Sequence, residues 1–177
     1  MKYILTLCVL TLFTCKNEVK QETLVSAEPE KEASNSTIGS LEIYDYQGIE
    51  KFLTKKDDKI YVINFWATWC KPCIKELPYF ESINKEYKDQ NVEVLLISLD
   101  FPQQFEKQLI PYIKEKNLQS KVVALDDPDM NTWIPKVSED WTGAIPATII
   151  YNREKRQFYE RSFTYEELEN ELKQFLK

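Results

Sequence analysis

Two long apolar runs dominate the pattern of hydrophobic and polar positions along this 177-residue chain. Lys59–Phe65 and Val92–Leu99 are almost continuously apolar and rich in β-branched side chains, which is typical of strands buried on both faces. Shorter stretches predict two more strands and a hairpin that turns near Asn152. These strands are 41–44, 121–125, and the hairpin pair 147–151 and 155–163.

Helical periodicity separates these runs. Apolar side chains recur at helical spacing in Cys73–Lys88 and Pro102–Asn117, and a shorter helix is predicted at Gly48–Thr54. A capping box that starts at Thr164 begins a C-terminal helix, and residues 126–141 are predicted to be irregular or partly helical. The order of elements predicts the α/β class: a central mixed β-sheet flanked by helices, with an inserted helical segment.

The N-terminal segment has the pattern of an export signal. Ile4–Phe13 is a ten-residue apolar run after Lys2, too short to span a bilayer but typical of the core of a secretory signal. The run ends just before Cys15 and then turns polar, which resembles the lipobox of bacterial lipoproteins. Residues 1–15 are therefore predicted to be a signal peptide ending at a lipidated Cys15. Thr14 departs from the small residue usual before that cysteine, so a plain signal peptide or an uncleaved anchor stays open.

Residues 16–40 are poor in large apolar groups and rich in Glu, Ser and Thr. This composition predicts a flexible linker, although a merely disordered tail would have the same composition. The domain is predicted to occupy residues 41–177.

Charge and composition exclude several classes of function. The net charge of −6 argues against a nucleic-acid partner, which would require a basic face to neutralise phosphates. The chain has no histidine, and this excludes histidine acid–base chemistry, Ser–His and Cys–His dyads, and most zinc and haem sites. We expect no metal site.

Cys70 and Cys73 lie between the predicted strand Lys59–Phe65 and the helix that follows. A cysteine at a helix N-terminus faces free amide groups and the positive end of the helix dipole, and both stabilise the nucleophilic thiolate. Lys71 adds a positive charge beside it. Because two intervening residues let the second thiol reach the first, the pair can attack a disulfide and then resolve the mixed disulfide.

Three other interpretations of the pair are disfavoured. A zinc half-site would need two more ligands, and the predicted domain has no further cysteine and no histidine. A structural disulfide closing so short a loop would contribute only about 2 kcal/mol, and a domain of this size does not need it. Two unrelated core thiols would not explain the position at a strand–helix junction.

The segment resembles the envelope thioredoxin-like reductases of the TlpA/ResA type. Their pattern FWxxWCxPC followed by Glu-x-Pro is matched by residues 65–73 and 76–78, and the Ile145-Pro146 pair before a strand matches thioredoxins in general. The resemblance covers residues 41–177 and implies a thioredoxin-like fold. The stretches 101–120 and 126–141 match only loosely.

The resemblance implies a role for each matching residue. Cys70 would be the exposed attacking thiol and Cys73 the buried resolving thiol of a redox-active disulfide. Pro146 would be a cis-proline beside that disulfide, with Ile145 offering backbone hydrogen bonds to a bound peptide. Trp69, Lys71 and Pro72 would complete and support the active-site segment.

The tryptophans are candidates for a peptide groove, because tryptophan is common at recognition surfaces. These residues are Trp66, Trp69, Trp133 and Trp141. For Trp66 and Trp133, packing in the core is the alternative.

One position departs from thioredoxin, which has a buried aspartate where this chain has Asn64. Glu76, one helical turn after Cys73, is the available substitute as proton acceptor. The alternative is that Glu76 is an ordinary solvated helix residue.

The resemblance implies a thiol–disulfide oxidoreductase that reduces disulfides of envelope proteins, such as apocytochrome c, with electrons from a membrane donor. We expect a monomer without a dissociable cofactor, attached to the outer face of a membrane by its N-terminal lipid. A disulfide oxidase and a non-enzymatic binding lipoprotein on the same scaffold stay open. An isomerase is disfavoured, because isomerases usually carry histidine between their cysteines and dimerise.

Overall fold

Seven strands hydrogen-bond into one mixed sheet in the computed structural model, which describes residues 35–176. The strands are β1 (Asn35–Ile38), β2 (Leu41–Tyr44), β3 (Ile60–Trp66), β4 (Val92–Ser98), β5 (Lys121–Leu125), β6 (Ala147–Tyr151) and β7 (Arg156–Tyr159). Their order across the sheet is β1-β2-β5-β4-β3-β6-β7. The four strands β2, β5, β4 and β3 are parallel to one another. At the two edges, β1 runs antiparallel to β2, β6 runs antiparallel to β3, and β7 runs antiparallel to β6.

Five α-helices within residues 35–176 cover the two faces of this sheet. They are α1 (Tyr46–Leu53), α2 (Lys71–Glu86), α3 (Ile110–Glu115), α4 (Met130–Val137) and α5 (Tyr165–Lys173). One core contains the apolar residues of α2, α5 and the segment around α3, and the other contains those of α1 and α4. The predicted α/β class is therefore confirmed, with a mixed sheet between two helical layers.

Strand β3 is the centre of both cores, and all seven of its residues are buried. Because side chains alternate along a strand, Val62 and Trp66 point to the core under α2, while Ile63 and Phe65 point to the core under α1 and α4. The same alternation places Asn64 on the α2 side. This polar residue therefore lies in a core position beneath the helix that follows Cys70.

The sheet begins earlier than the sequence indicates. β1 pairs antiparallel with β2 through a turn in which Gly39 has a φ of +61°. Its residues lie in the segment 16–40 that we predicted to be a linker, so that prediction is wrong for residues 35–38. The strand is an exposed edge with Ile38 as its one large apolar residue, and its hydrophobic signal is correspondingly weak.

The inserted segment is helical but not one helix. A 3₁₀ turn (Pro102–Gln104) leads into a π-helical turn (Phe105–Leu109) and then into α3. The amide of Ile110 donates to the Phe105 carbonyl, five residues back. Pro111 has no amide N–H and its ring clashes with a regular α-helical turn before it, which explains the wider turn at this point.

Two further boundaries differ from the predicted ones. Residues 130–137 form a regular helix, α4, inside the stretch predicted to be irregular or partly helical. β7 ends at Tyr159 rather than at Phe163, because its partner β6 starts only after Pro146, which has no amide to extend the ladder. The predicted signal peptide, Cys15 and residues 16–34 lie outside the described residues. Within residues 35–176, no helix combines the length and apolarity needed to cross a bilayer.

Candidate active site

Cys70 and Cys73 form a disulfide at the N-terminus of α2. Cys70 is the N-cap residue, in extended conformation, and its Sγ accepts a hydrogen bond from the Cys73 amide at 3.3 Å. Lys71 and Pro72 occupy the first turn, where a missing amide N–H costs no helical hydrogen bond, and both are exposed. Cys70 is 5% exposed and Cys73 fully buried, so a thiolate at Cys70 would lie nearer to solvent and would be stabilised by the helix terminus.

The Ile145–Pro146 peptide bond is cis and lies against this disulfide. The Ile145 carbonyl oxygen is 3.7 Å from Cys70 Sγ. The loop before it is fixed from two sides: the Trp141 indole donates to the Ala144 carbonyl at 2.8 Å, and the Glu160 carboxylate accepts from the Ala144 amide at 2.9 Å. The backbone beside Cys70 is therefore held in place before any peptide arrives.

Glu76 follows Cys73 by one turn of α2 and is buried, with 1% of its surface exposed. Its Oε2 accepts from the Phe163 amide at 2.7 Å, and its Oε1 accepts from Asn64 Nδ2 at 3.1 Å. Asn64 Nδ2 also lies 3.1 Å from Thr148 Oγ1, across the β3–β6 pairing. The alternative of a solvated helix glutamate is therefore wrong.

Burial raises the pKa of Glu76 to about 7, and the hydrogen bonds from Phe163 and Asn64 only partly oppose it. Glu76 is also one of the residues that line a cavity of about 270 Å³ between α2 and residues 162–167. A carboxyl with a pKa close to neutral, one helical turn from Cys73, can both accept and release a proton at neutral pH.

Asp100 is a site residue that the sequence analysis missed. Its carboxylate is buried, accepts from the Thr68 amide at 3.0 Å and from the Thr68 hydroxyl at 2.5 Å, and accepts from Ser98 Oγ at 2.8 Å. Thr68 belongs to the loop that leads from β3 to Cys70. The signal for Asp100 was its position directly after a buried strand, at the edge of the sheet where the carboxyl ends of parallel strands meet.

The four tryptophans do not act alike. Trp66, Trp133 and Trp141 are buried in the two cores, which is a packing role. Trp69 is 48% exposed beside Cys70, and its ring stacks on Phe101, with ring centroids 6.3 Å apart. Among the described residues, no group of three or more histidine, cysteine or acidic side chains is placed to hold a metal ion.

Known proteins share both sequence and fold with this chain. The model of the AhpC/TSA family matches residues 29–156. A thiol-disulfide oxidoreductase ResA of Geobacillus kaustophilus is 30% identical over 142 residues, which covers 79% of this chain and 76% of that protein. A second ResA, from Oceanobacillus iheyensis, is 46% identical over 48 residues, 27% of this chain and 25% of that protein.

The fold has counterparts among solved structures. A thiol:disulfide interchange protein of the thioredoxin family from Chlorobium tepidum superposes with a TM-score of 0.60 at 17% identity, covering 82% of this chain and 94% of the other. At that identity the likeness concerns the fold alone, and it confirms the predicted thioredoxin-like architecture.

Proposed function

Since the chain belongs to the AhpC/TSA family and is a ResA-like thiol–disulfide oxidoreductase, we propose that it works as a reductase of protein disulfides outside the cytoplasm. The observation that supports this most directly is the arrangement of Cys70, Cys73 and Glu76. A cysteine pair at a helix N-terminus is combined with a buried carboxyl group whose pKa lies near neutrality.

In the proposed reaction the reduced protein supplies two electrons. The Cys70 thiolate attacks one sulfur of the substrate disulfide, a Cys70–substrate disulfide forms, and the other substrate sulfur leaves as a thiolate that takes a proton from solvent. Cys73 then attacks Cys70 Sγ, the substrate's second sulfur leaves, and the Cys70–Cys73 disulfide remains. The second sulfur also leaves as a thiolate and is protonated in turn. The substrate gains two electrons from the protein and two protons, one that Cys73 releases and one from solvent, which replaces the proton that Cys70 lost on forming its thiolate.

Glu76 serves the second step. Burial raises the pKa of a thiol, so Cys73 in its core position would lose its proton slowly without help. Ionised Glu76 takes that proton, directly or through one water molecule. Asn64 cannot do this because an amide is not basic in this pH range, but its Nδ2 orients the carboxylate.

Rapid mixing of the reduced protein with excess substrate disulfide tests this assignment. The first phase, attack by Cys70, should depend on substrate concentration, and the second, resolution by Cys73, should not. Glu76→Gln should slow the second phase about 10- to 100-fold at pH 7, a typical general-base effect. Cys73→Ser, which should lack the second phase altogether, is the control. An unchanged second phase in Glu76→Gln would contradict the role of Glu76.

One observation favours a second direction of reaction. Lys71 is exposed directly after Cys70 and stabilises the thiolate, hence the reduced form, and a stabilised reduced form makes the disulfide more oxidising. Each 30 mV of reduction potential corresponds to about 1.4 kcal/mol. Equilibration with glutathione redox buffers measures the reduction potential of the Cys70–Cys73 pair and distinguishes a reductase from an oxidase. A reduction potential near that of thioredoxin supports the reductase, and one near that of a strong oxidant supports the oxidase.

We further propose that the protein acts at the outer face of a membrane, tethered through a lipid on Cys15, as a monomer that receives electrons from a membrane thiol donor. The support is the signal-like pattern of residues 1–15. Since the sheet starts at Asn35, the tether would comprise residues 16–34, which as a random coil would reach about 24 Å. Trapping of partners in cells with Cys73→Ser would identify the substrates, apocytochrome c among the candidates.

A further inference from the structure

Two aromatic rings form an exposed surface beside the disulfide, which we call the aromatic ledge and define as Trp69 and Phe101. Trp69 is 48% exposed and Phe101 is 56% exposed. Their rings are stacked, with an interplanar angle of 17° and a centroid separation of 6.3 Å. Among the described residues, Met130 is the other large apolar side chain of comparable exposure, at 47%.

The ledge lies at the reacting edge of the sheet. Trp69 directly precedes Cys70, so the two Cα atoms are about 3.8 Å apart. Phe101 follows β4, the parallel neighbour of β3, and the register pairs Trp66 with Ser98 at the carboxyl ends of both strands. Both rings therefore lie at the same edge of the sheet as Cys70, the edge at which a substrate sulfur reacts.

The two rings are held by their backbone segments. Asp100, one residue before Phe101, accepts hydrogen bonds from the amide and the hydroxyl of Thr68, one residue before Trp69. The Leu99 amide also donates to the Trp66 carbonyl at 2.7 Å. Because these hydrogen bonds join the two segments next to the ring-bearing residues, a ligand that binds the ledge has little backbone to order, which favours binding.

We propose that the aromatic ledge selects the substrate: it binds an aromatic side chain located two or three residues from the substrate cysteine that Cys70 attacks. An extended chain covers about 7–10 Å in two to three residues. This span exceeds the 6.3 Å between the two ring centroids. Stacking on two exposed rings favours a planar aromatic group over a small side chain. The proposal rests on the proposed function, because the occupant is the disulfide substrate itself.

The test uses two disulfide-bonded peptides that are identical except for Trp or Ala two residues from one cysteine, together with oxidised glutathione. The reduced full-length protein should react faster with the Trp peptide, by about 2- to 12-fold in second-order rate constant, the effect of one aromatic pair. In Phe101→Ala, the ratio of the rate constant for the Trp peptide to that for the Ala peptide should fall close to 1. Phe101→Tyr, which keeps an aromatic ring, should keep this ratio near the wild-type value. Met130→Ala, the matched exposed control, should keep the wild-type ratio.

Because the two peptides are compared within each variant, a general loss of activity or folding affects both rate constants equally and leaves their ratio unchanged. A wild-type ratio near 1, or a ratio that persists in Phe101→Ala, would overturn the ledge while leaving the proposed function intact. Absence of reaction with all three disulfides, oxidised glutathione included, would overturn the proposed function and the ledge with it.

Discussion

Replacing Glu76 by glutamine should stabilise the folded protein at pH 8 and leave its stability at pH 4.5 nearly unchanged. Burial raises the pKa of this carboxyl from 4.5 to about 7. Between these two pH values the unfolded chain has released a proton that the folded protein retains, so the free energy of unfolding falls as pH rises. The stability from the protonated carboxyl is fully present below about pH 4.5 and is lost as pH rises through about 7.

The gap between the two pKa values sets the size of the effect. From 4.5 to about 7 it corresponds to about 3 kcal/mol for this group, which is 1% exposed. Glutamine has the shape of the protonated acid and does not ionise, so it avoids this loss.

Urea denaturation of the oxidised protein at pH 5, 6, 7 and 8 measures the effect. The free energy of unfolding of Glu76→Gln should exceed that of the wild type by an amount that grows with pH towards about 3 kcal/mol. Glu86→Gln, an exposed position on the same helix, is the control and should show no comparable growth. A difference for Glu76→Gln that is the same at pH 5 and pH 8 would refute a raised pKa at this site.

Three further predictions concern the cysteines and Asp100. In the reduced protein, alkylation at neutral pH should label Cys70 much faster than Cys73, because Cys70 is nearer to solvent and to the helix N-terminus; equal rates would reverse the assignment of the nucleophile. Mass spectrometry of the mature protein should find Cys15 as a lipidated N-terminus, and an unmodified protein that starts elsewhere would count against the tether. Asp100→Ala should lower the free energy of unfolding by about 2–3 kcal/mol in urea denaturation, because it removes the acceptor of the half-buried Thr68 donors and of the buried Ser98 hydroxyl. Asp100→Asn should lower the free energy of unfolding by less.

The sequence predicts those parts of the fold whose signal is local. The run Lys59–Phe65 is continuous because β3 is covered on both faces, and a strand of that kind is recognisable without its neighbours. The capping box at Thr164 is observed as predicted, with the Thr164 amide donating to Glu167 at 2.8 Å. The Cys70–Cys73 pair is equally local, since its chemistry follows from a position at a strand–helix junction.

The parts that could not be predicted depend on distant partners. β1 carries little hydrophobic signal and becomes a strand because the edge of β2 is free to pair with it. The burial of Glu76 depends on residues 64 and 163, which are far from it in sequence. Phe101 reads as an ordinary apolar residue at the start of an insertion, and only the fold places its ring on Trp69.

The antiparallel β1 decides which end of the molecule a surface attachment would present. Asn35 pairs with Tyr44 at the carboxyl end of β2, so the chain enters the sheet at the same edge as the disulfide, four strands and about 19 Å to the side of β3. The other end of the chain, Phe175 and Leu176, lies beside residues 57–60 and 152–154, at the opposite edge. A surface attached at Asn35 itself would therefore face the reactive edge, whereas a surface attached at Leu176 would face away from it.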